Sequence, residues 1–282
     1  MMKRLVFNAD DFGRSDDENL AIVKTLSQGV VRSTTVTANM PAVGAIHKVH
    51  SDLPDVGVGV HLNFTEGRPV LSPNLVPSLV NYSGTFWSKR QLLWRSCLGL
   101  IQQAEVVAEL RAQILRVMEW VGEVTHVDSH QNIIIFPCIL PAALEVLDSL
   151  GIKRIRTQNS YLIPRSFRKE ISRKTRPTIG LDGLLRPAWC AIKEYRGRQI
   201  ERRGFRSTDS LLLGAPGYKD DSLSLKQILP WWERVLPCLP DAILEVPTHP
   251  GFSPVEVAVL TDPRMARLLE AFNVQVFSFA NI

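Results

Sequence analysis

The sequence predicts a parallel α/β protein whose sheet closes as a barrel or a distorted variant of one, with an open doubly wound sheet as the alternative. Three observations predict it. Eight short apolar runs alternate with helical stretches along the 282 residues. Gly29 and Gly151 each follow a helical stretch and precede a β-rich run, as helix stop signals do. Neither G-x-G-x-x-G nor G-x-x-x-x-G-K-[ST] follows the first strand, which removes the usual support for an open nucleotide-binding sheet.

The first strand spans 3–8 and leads to a helix over 17–28; the second, 34–39, leads to a helix over 41–51. A strand at 56–62 enters a long connection, 64–103. The helix that follows, 104–121, is amphipathic, with Val107, Leu110, Ile114, Leu115, Met118 and Val121 on one stripe. Strands at 125–129, 153–157, 210–214, 242–248 and 274–279 alternate with helices at 141–150, 187–203, 223–236 and 263–272. A second long connection, 158–209, encloses one of those helices. Connections of this length are commonly functional loops or small insertions. Residues 1–282 therefore read as one domain with insertions at about 64–103 and 158–209.

Composition narrows the class. Hydrophobic residues make up 45% of the chain and charged residues 22%, which excludes a disordered or collagen-like protein. The longest apolar runs, such as 133–136 and 211–213, fall far short of a membrane span. The opening MMKRLVFNADDFG meets Asp10 and Asp11 before any long apolar stretch, so a mature cytoplasmic start is expected. Cys97, Cys138, Cys190 and Cys238 form no C-x-x-C pair and are expected to be buried, reduced and structural. Between Lys153 and Arg206 stand 16 Lys/Arg against 4 Asp/Glu, a local charge of +12. Such a block suits a solvated face, an acidic substrate or an anionic membrane surface. No nucleic-acid motif accompanies it, so no nucleic-acid partner is expected.

Parallel α/β proteins gather chemistry at the carboxyl ends of their strands. Here those ends carry Asn8-Ala9-Asp10-Asp11, His61-Leu62-Asn63, His126-Val127-Asp128-Ser129-His130 and Thr248-His249-Pro250-Gly251. His47 and His50 lie in the second helix and read as surface residues. One or two aspartates from the first strand, with histidines from the third and fourth, make a donor set for one hydrolytic metal. Such a set suits zinc, manganese, iron or cobalt, while magnesium prefers more oxygen. The remaining aspartate can then act as a base and His249 as an acid, and Asp128 can orient a ligand. Adjacent aspartates after a strand also serve as helix caps, and single strand-end histidines as structural residues.

NADDFGRS at 8–15, GVHLNFTEGRPV at 59–70, THVDSHQN at 125–132 and EVPTHPG at 245–251 resemble the YdjC-like carbohydrate deacetylases, a group with chitooligosaccharide deacetylases and hopanoid-biosynthesis deacetylase-like proteins. The resemblance runs from residue 3 to about 280, with no usable pattern over 160–210. It implies a distorted (β/α) barrel of the polysaccharide-deacetylase-like type holding one divalent ion, zinc or magnesium, with manganese or cobalt as further choices. Carried over residue by residue, Asp11, His61 and His130 would hold the metal, Asp10 would be the base, His249 the acid, and Asp128 would stand behind a ligand. Arg156 and Asn132 are the candidates for substrate contact. The family's usual DSHxH departs here, with Asn132 in place of the second histidine.

The resemblance implies hydrolysis of an N-acetyl group on an amino sugar, oligosaccharide or glycoconjugate, giving acetate and the free amine. The alternatives are a metal hydrolase of another amide or ester, and a catalytically weak sugar-binding protein of the same fold. Peripheral contact with a lipid-linked substrate and homodimerisation are further expectations. Tyr82, Phe86 and Trp87 in the first long connection are candidates for a sugar platform or subunit contact, with packing as the alternative.

Overall fold

Strand β1 (Lys3–Phe12) runs through the middle of an eight-stranded sheet in which every strand pairing is parallel. The order across the sheet is β4 (Val127–Ser129), β3 (Gly57–Leu62), β2 (Ser33–Val36), β1, β7 (Ile243–Thr248), β6 (Ser210–Leu213) and β5 (Ser160–Leu162). The last strand, β8 (Val274–Val276), pairs only with Lys3–Leu5 of β1, whereas β2 pairs with Asn8 through Phe12. It fills the gap where β1 and β2 part, and the Phe279 N–H donates to Ser33 Oγ there at 2.9 Å. The edges of the sheet meet through residues 153–156: Val127 bridges Ile155, and Arg154 bridges Arg206. The expected barrel is present, and single bridges rather than a full ladder close it. The computed structural model describes residues 3–162, 181–213 and 224–282.

Around the sheet lie α1 (Asp16–Gln28), α2 (Ile46–Asp52), α3 (Lys89–Cys97), α4 (Gln103–Val121), α5 (Ile139–Ser149), α6 (Leu181–Arg202), α7 (Leu225–Val235), α8 (Pro254–Thr261) and α9 (Pro263–Ala271). Ser15 caps α1 by accepting the Glu18 N–H, and Asp16, Asp17 and Glu18 favour the positive end of the helix. Val106, Leu110, Ile114, Val117 and Val121 of α4 are buried, each contributing about 1.5–3 kcal/mol relative to exposure. None of the helices among the described residues is long and apolar enough to cross a membrane.

Several sequence expectations need correction. On α4 the buried stripe is rotated from the expected one: Leu115 is 41% exposed, and Glu109 and Gln113 face inward instead. Those two polar side chains are satisfied by the loop after β3, which hydropathy alone cannot reveal. The helix expected over 41–51 begins at Ile46, because the Ala42 N–H donates to Gly13 O and its carbonyl accepts from Asn19 Nδ2. The strand expected at 153–157 is reduced to bridges at Arg154 and Ile155. The connection 64–103 contains α3, started by the Ser88–Gln91 capping box. Valine-rich 254–261 forms α8, with Ser253 as its cap and Pro254 in its first turn.

The side-chain expectations fare unevenly. Cys138 is buried, but Cys97 and Cys238 are exposed. His47 is exposed while His50 is half-buried. Tyr82 is exposed, Phe86 is buried against Phe64 with ring centroids 5.5 Å apart, and Trp87 is covered by Arg95 at 4.3 Å. Arg165, Arg168 and Lys169 of the basic block lie outside the described residues.

Candidate active site

The carboxyl ends of β1, β3, β4 and β7 converge on one mouth, and β1 supplies its centre. In a regular strand, adjacent side chains point to opposite faces. Here the register of β1 against β2 slips by one residue between Ala9 and Phe12, and Asp11 takes the left-handed φ of 67°. Such backbone is costly for a non-glycine residue and clusters at functional sites. The bulge lets neighbouring Asp10 and Asp11 both serve the mouth while facing different partners.

Asp11 faces the histidines. Its Oδ1 lies 2.9 Å from His130 Nδ1 and 3.5 Å from His61 Nε2. This oxygen is buried and accepts no well-formed hydrogen bond. Burial would raise the Asp11 carboxyl, but His130 and His61 bring it down to about 2. His61 is fixed from behind, its Nδ1 2.6 Å from Asp128 Oδ1 and 3.2 Å from Thr35 Oγ1. Thr35 also donates to Asp128 Oδ2 at 3.1 Å. Burial opposes charge on His61, yet Asp128 and Asp11 raise it to about 9. Asp11, His61 and His130 present one donor atom each within 4.8 Å of one another, and the mixed oxygen and imidazole set fits a borderline divalent ion.

Asp10 faces the other way. Arg156 Nη1 and Nη2 donate to its two oxygens at 2.7 Å each, and Asn8 Nδ2 donates at 2.8 Å. Arg156 also reaches Asp128 Oδ2 at 2.8 Å and Glu245 Oε1 at 2.5 Å. Burial alone would raise the Asp10 carboxyl, but the guanidinium, with His249 and His61 nearby, holds it well below the usual carboxylate range. Asp10, His61 and Asp128 also cluster closely enough for a cation. There the Arg156 guanidinium already bridges the two aspartates, which leaves the Asp11 cluster as the donor set more compatible with a divalent ion.

His249, at the end of β7, places Nε2 3.7 Å from Asp10 Oδ2. Burial lowers its pKa, and the Asp10 charge opposes that shift. Its backbone N–H donates to Glu256 Oε2 at 2.7 Å. The structure thus brings Asp10, Asp11, His61, Asp128, His130, Arg156 and His249 to one place. The guanidinium of Arg156 is engaged by three carboxylates. Asn132 follows His130 by two residues, on a turn where it and Gln131 have φ of 56° and 53°.

His126 belongs to the scaffold. It is buried, stacks on Phe279 at 3.9 Å and approaches Asn8 Oδ1 at 3.2 Å. Gly59 makes room for its ring: a Cβ there would sit 2.6 Å from His126 Cε1. Sequence reasoning missed Thr35, Glu66, Glu245 and Glu256 as members of this network. Glu66 and Glu245 stood inside the recognised motifs, whereas Thr35 gave no signal in a short strand of similar residues.

The family model described as YdjC-like protein matches residues 4–271. A carbohydrate deacetylase of Geobacillus stearothermophilus is 35% identical over 166 residues, 58% of this chain and 64% of that protein. A chitooligosaccharide deacetylase of Enterobacter sp. (strain 638) is 36% identical over 154 residues, 54% of this chain and 58% of that protein. The matched region thus spans less than two thirds of either relative's length. In fold, the chain is similar to the crystal structure of a proposed cellobiose-phosphate cleavage protein of Enterococcus faecalis V583. The TM-score is 0.73 at 23% identity, covering 100% of this chain and 99% of that one.

Proposed function

The chain belongs to the YdjC-like family, and on that premise we propose that it is a metal-dependent carbohydrate deacetylase. It removes an N-acetyl group from an amino sugar, oligosaccharide or glycoconjugate, giving acetate and the free amine. The division of labour between Asp10 and Asp11 supports this assignment most directly, and the named activities of the relatives support a sugar substrate.

Asp11, His61 and His130 would hold one divalent ion, zinc by the chemistry of the donors, with magnesium, manganese or cobalt as other occupants. Such an ion supplies Lewis acidity toward the acyl oxygen and water. Asp10, kept ionised and fixed by Arg156, takes the proton of the attacking water. As the C–N bond breaks, His249, whose Nε2 lies 3.7 Å from Asp10 Oδ2, gives a proton to the leaving amine. Asp128 and Thr35 hold His61 in register, while Asn132 is the candidate for a hydrogen bond to the sugar. Arg156, bonded to Asp10, Asp128 and Glu245, is a positioning residue for Asp10 and for the Asp128 that stands behind His61.

The test is acetate release from a panel of N-acetylated sugars and oligosaccharides, with chelator and after adding back zinc, magnesium, manganese or cobalt. Chelator-sensitive release is expected. Bound metal without release from any sugar would move the assignment to another amide or ester. Failure to bind metal would favour a sugar-binding protein.

A further inference from the structure

With Asp11, His61 and His130 taken as the metal holders of the proposed deacetylase, we propose that Glu66 is the positioning carboxylate of His130, as Asp128 is of His61. The two histidines are built alike. His61 turns Nε2 to Asp11 Oδ1 (3.5 Å) and Nδ1 to Asp128 Oδ1 (2.6 Å). His130 turns Nδ1 to the same Asp11 oxygen (2.9 Å) and Nε2 to Glu66 Oε2 (3.2 Å). A carboxylate on the far nitrogen of a ligating imidazole fixes its tautomer and ring orientation and raises its basicity.

Glu66 is held for that task. Arg14 grips it with two parallel bonds, Nη1 to Oε2 at 2.7 Å and Nη2 to Oε1 at 2.8 Å. Arg14 lies over the Phe252 ring at 5.1 Å, with Nε 3.4 Å from Glu18. The loop carrying Glu66 is pinned along its backbone. Asn63 Oδ1 accepts the Thr65 and Glu66 N–H groups at 3.0 and 3.1 Å. The Glu66 carbonyl accepts from Asn63 Nδ2 at 2.8 Å and Asn39 Nδ2 at 2.9 Å.

Two residues of α4 complete the support. Glu109 accepts the Val70 and Leu71 N–H groups at 2.9 and 3.0 Å, and Gln113 pairs with both backbone groups of Asn63. Both side chains are fully buried on a helix face that is otherwise apolar. Polar groups there are costly unless bonded, and all these bonds serve one loop. Its outward product is the placement of Glu66 beside His130.

The experiment measures zinc affinity by competition with a chromogenic chelator, for the wild type and for Glu66→Ala, Glu66→Gln and Arg14→Ala. The visible absorption of cobalt-loaded protein and thermal melts are recorded alongside. Glu66→Ala should weaken zinc about 10- to 100-fold and shift the cobalt spectrum. Glu66→Gln should lose less, since its amide oxygen still accepts an imidazole N–H, and its near-identical shape guards against misfolding. Arg14→Ala should shift the cobalt spectrum in the same direction as Glu66→Ala, while its zinc affinity combines the release of Glu66 with the loss of a cation 4.0 Å from Asp11 Oδ1.

A wild type that binds no zinc would overturn the metal reading itself. A wild type that binds zinc, with Glu66→Ala equal to it in affinity and spectrum, would overturn the role of Glu66 alone. A raised KM with unchanged zinc affinity would also overturn it, by making Glu66 a substrate contact.

Discussion

Asp10 and Asp11 are neighbours in sequence, yet Asp10 is clamped by Arg156 at 2.7 Å while Asp11 Oδ1 lies 2.9 Å from His130 Nδ1. Their substitutions should therefore separate two functions. Asp11→Asn should abolish tight zinc binding in the competition assay. Asp10→Asn should keep zinc and lower kcat by about 10²–10⁴-fold, the usual contribution of a general base. Equal loss of metal in both variants would show that the bulge does not divide their roles.

Arg156 stabilises three buried carboxylates: Asp10, Asp128 and Glu245. Arg156→Met should cost about 3–5 kcal/mol in urea unfolding, because it leaves buried charge uncompensated. Arg156→Lys should recover only part of that loss. An ammonium cannot bond two oxygens of Asp10 and reach Glu245 in the same fixed fork.

Asp128 accepts from Thr35 and stands 2.6 Å from His61 Nδ1. Asp128→Asn should weaken zinc about 10- to 100-fold, measured by chelator competition. Thr35→Val should have a smaller effect in the same assay, since it loosens Asp128 without removing the carboxylate. His126→Phe provides the contrast. It should lower the melting temperature and leave zinc affinity unchanged.

Burial pushes the Glu256 carboxyl from 4.5 up to about 7, even though it accepts the His249 N–H. A carboxyl raised on folding binds its proton more tightly in the native state. Its stabilising contribution is full below the unfolded value and disappears as pH rises through about 7. The contribution is on the order of 3 kcal/mol. Unfolding curves from about pH 4 to about pH 8 should show this decline in the wild type and a flatter profile in Glu256→Gln.

Much of the fold was legible because parallel strands and their helices leave strong local patterns. The runs at 3–8, 56–62 and 242–248 became β1, β3 and β7, and the helices at 17–28 and 104–121 survive nearly unchanged as α1 and α4. The valines of Pro254–Thr261 favour a strand and mask the helix, whose start signal is the Ser253 cap with Pro254 and Glu256 in the first turn. Glu109 and Gln113 were illegible for a different reason. Their burial follows from backbone groups of a loop 39 and 50 residues away in sequence, and nothing local announces such partners.

The sequence by itself determined the alternating α/β order, the family motifs and the positions at which aspartates and histidines end strands. Hydrophobic period and residue type are local properties, legible along the chain. Only the tertiary structure decided which aspartate faces which partner, that Arg156 is occupied by carboxylates, and that Glu66 stands beside His130. Those outcomes depend on a register slip in β1, on closure of the barrel through 153–156, and on a loop pinned by α4. Each is set by contacts between distant segments, where a shift of one residue turns a side chain from one face to the other.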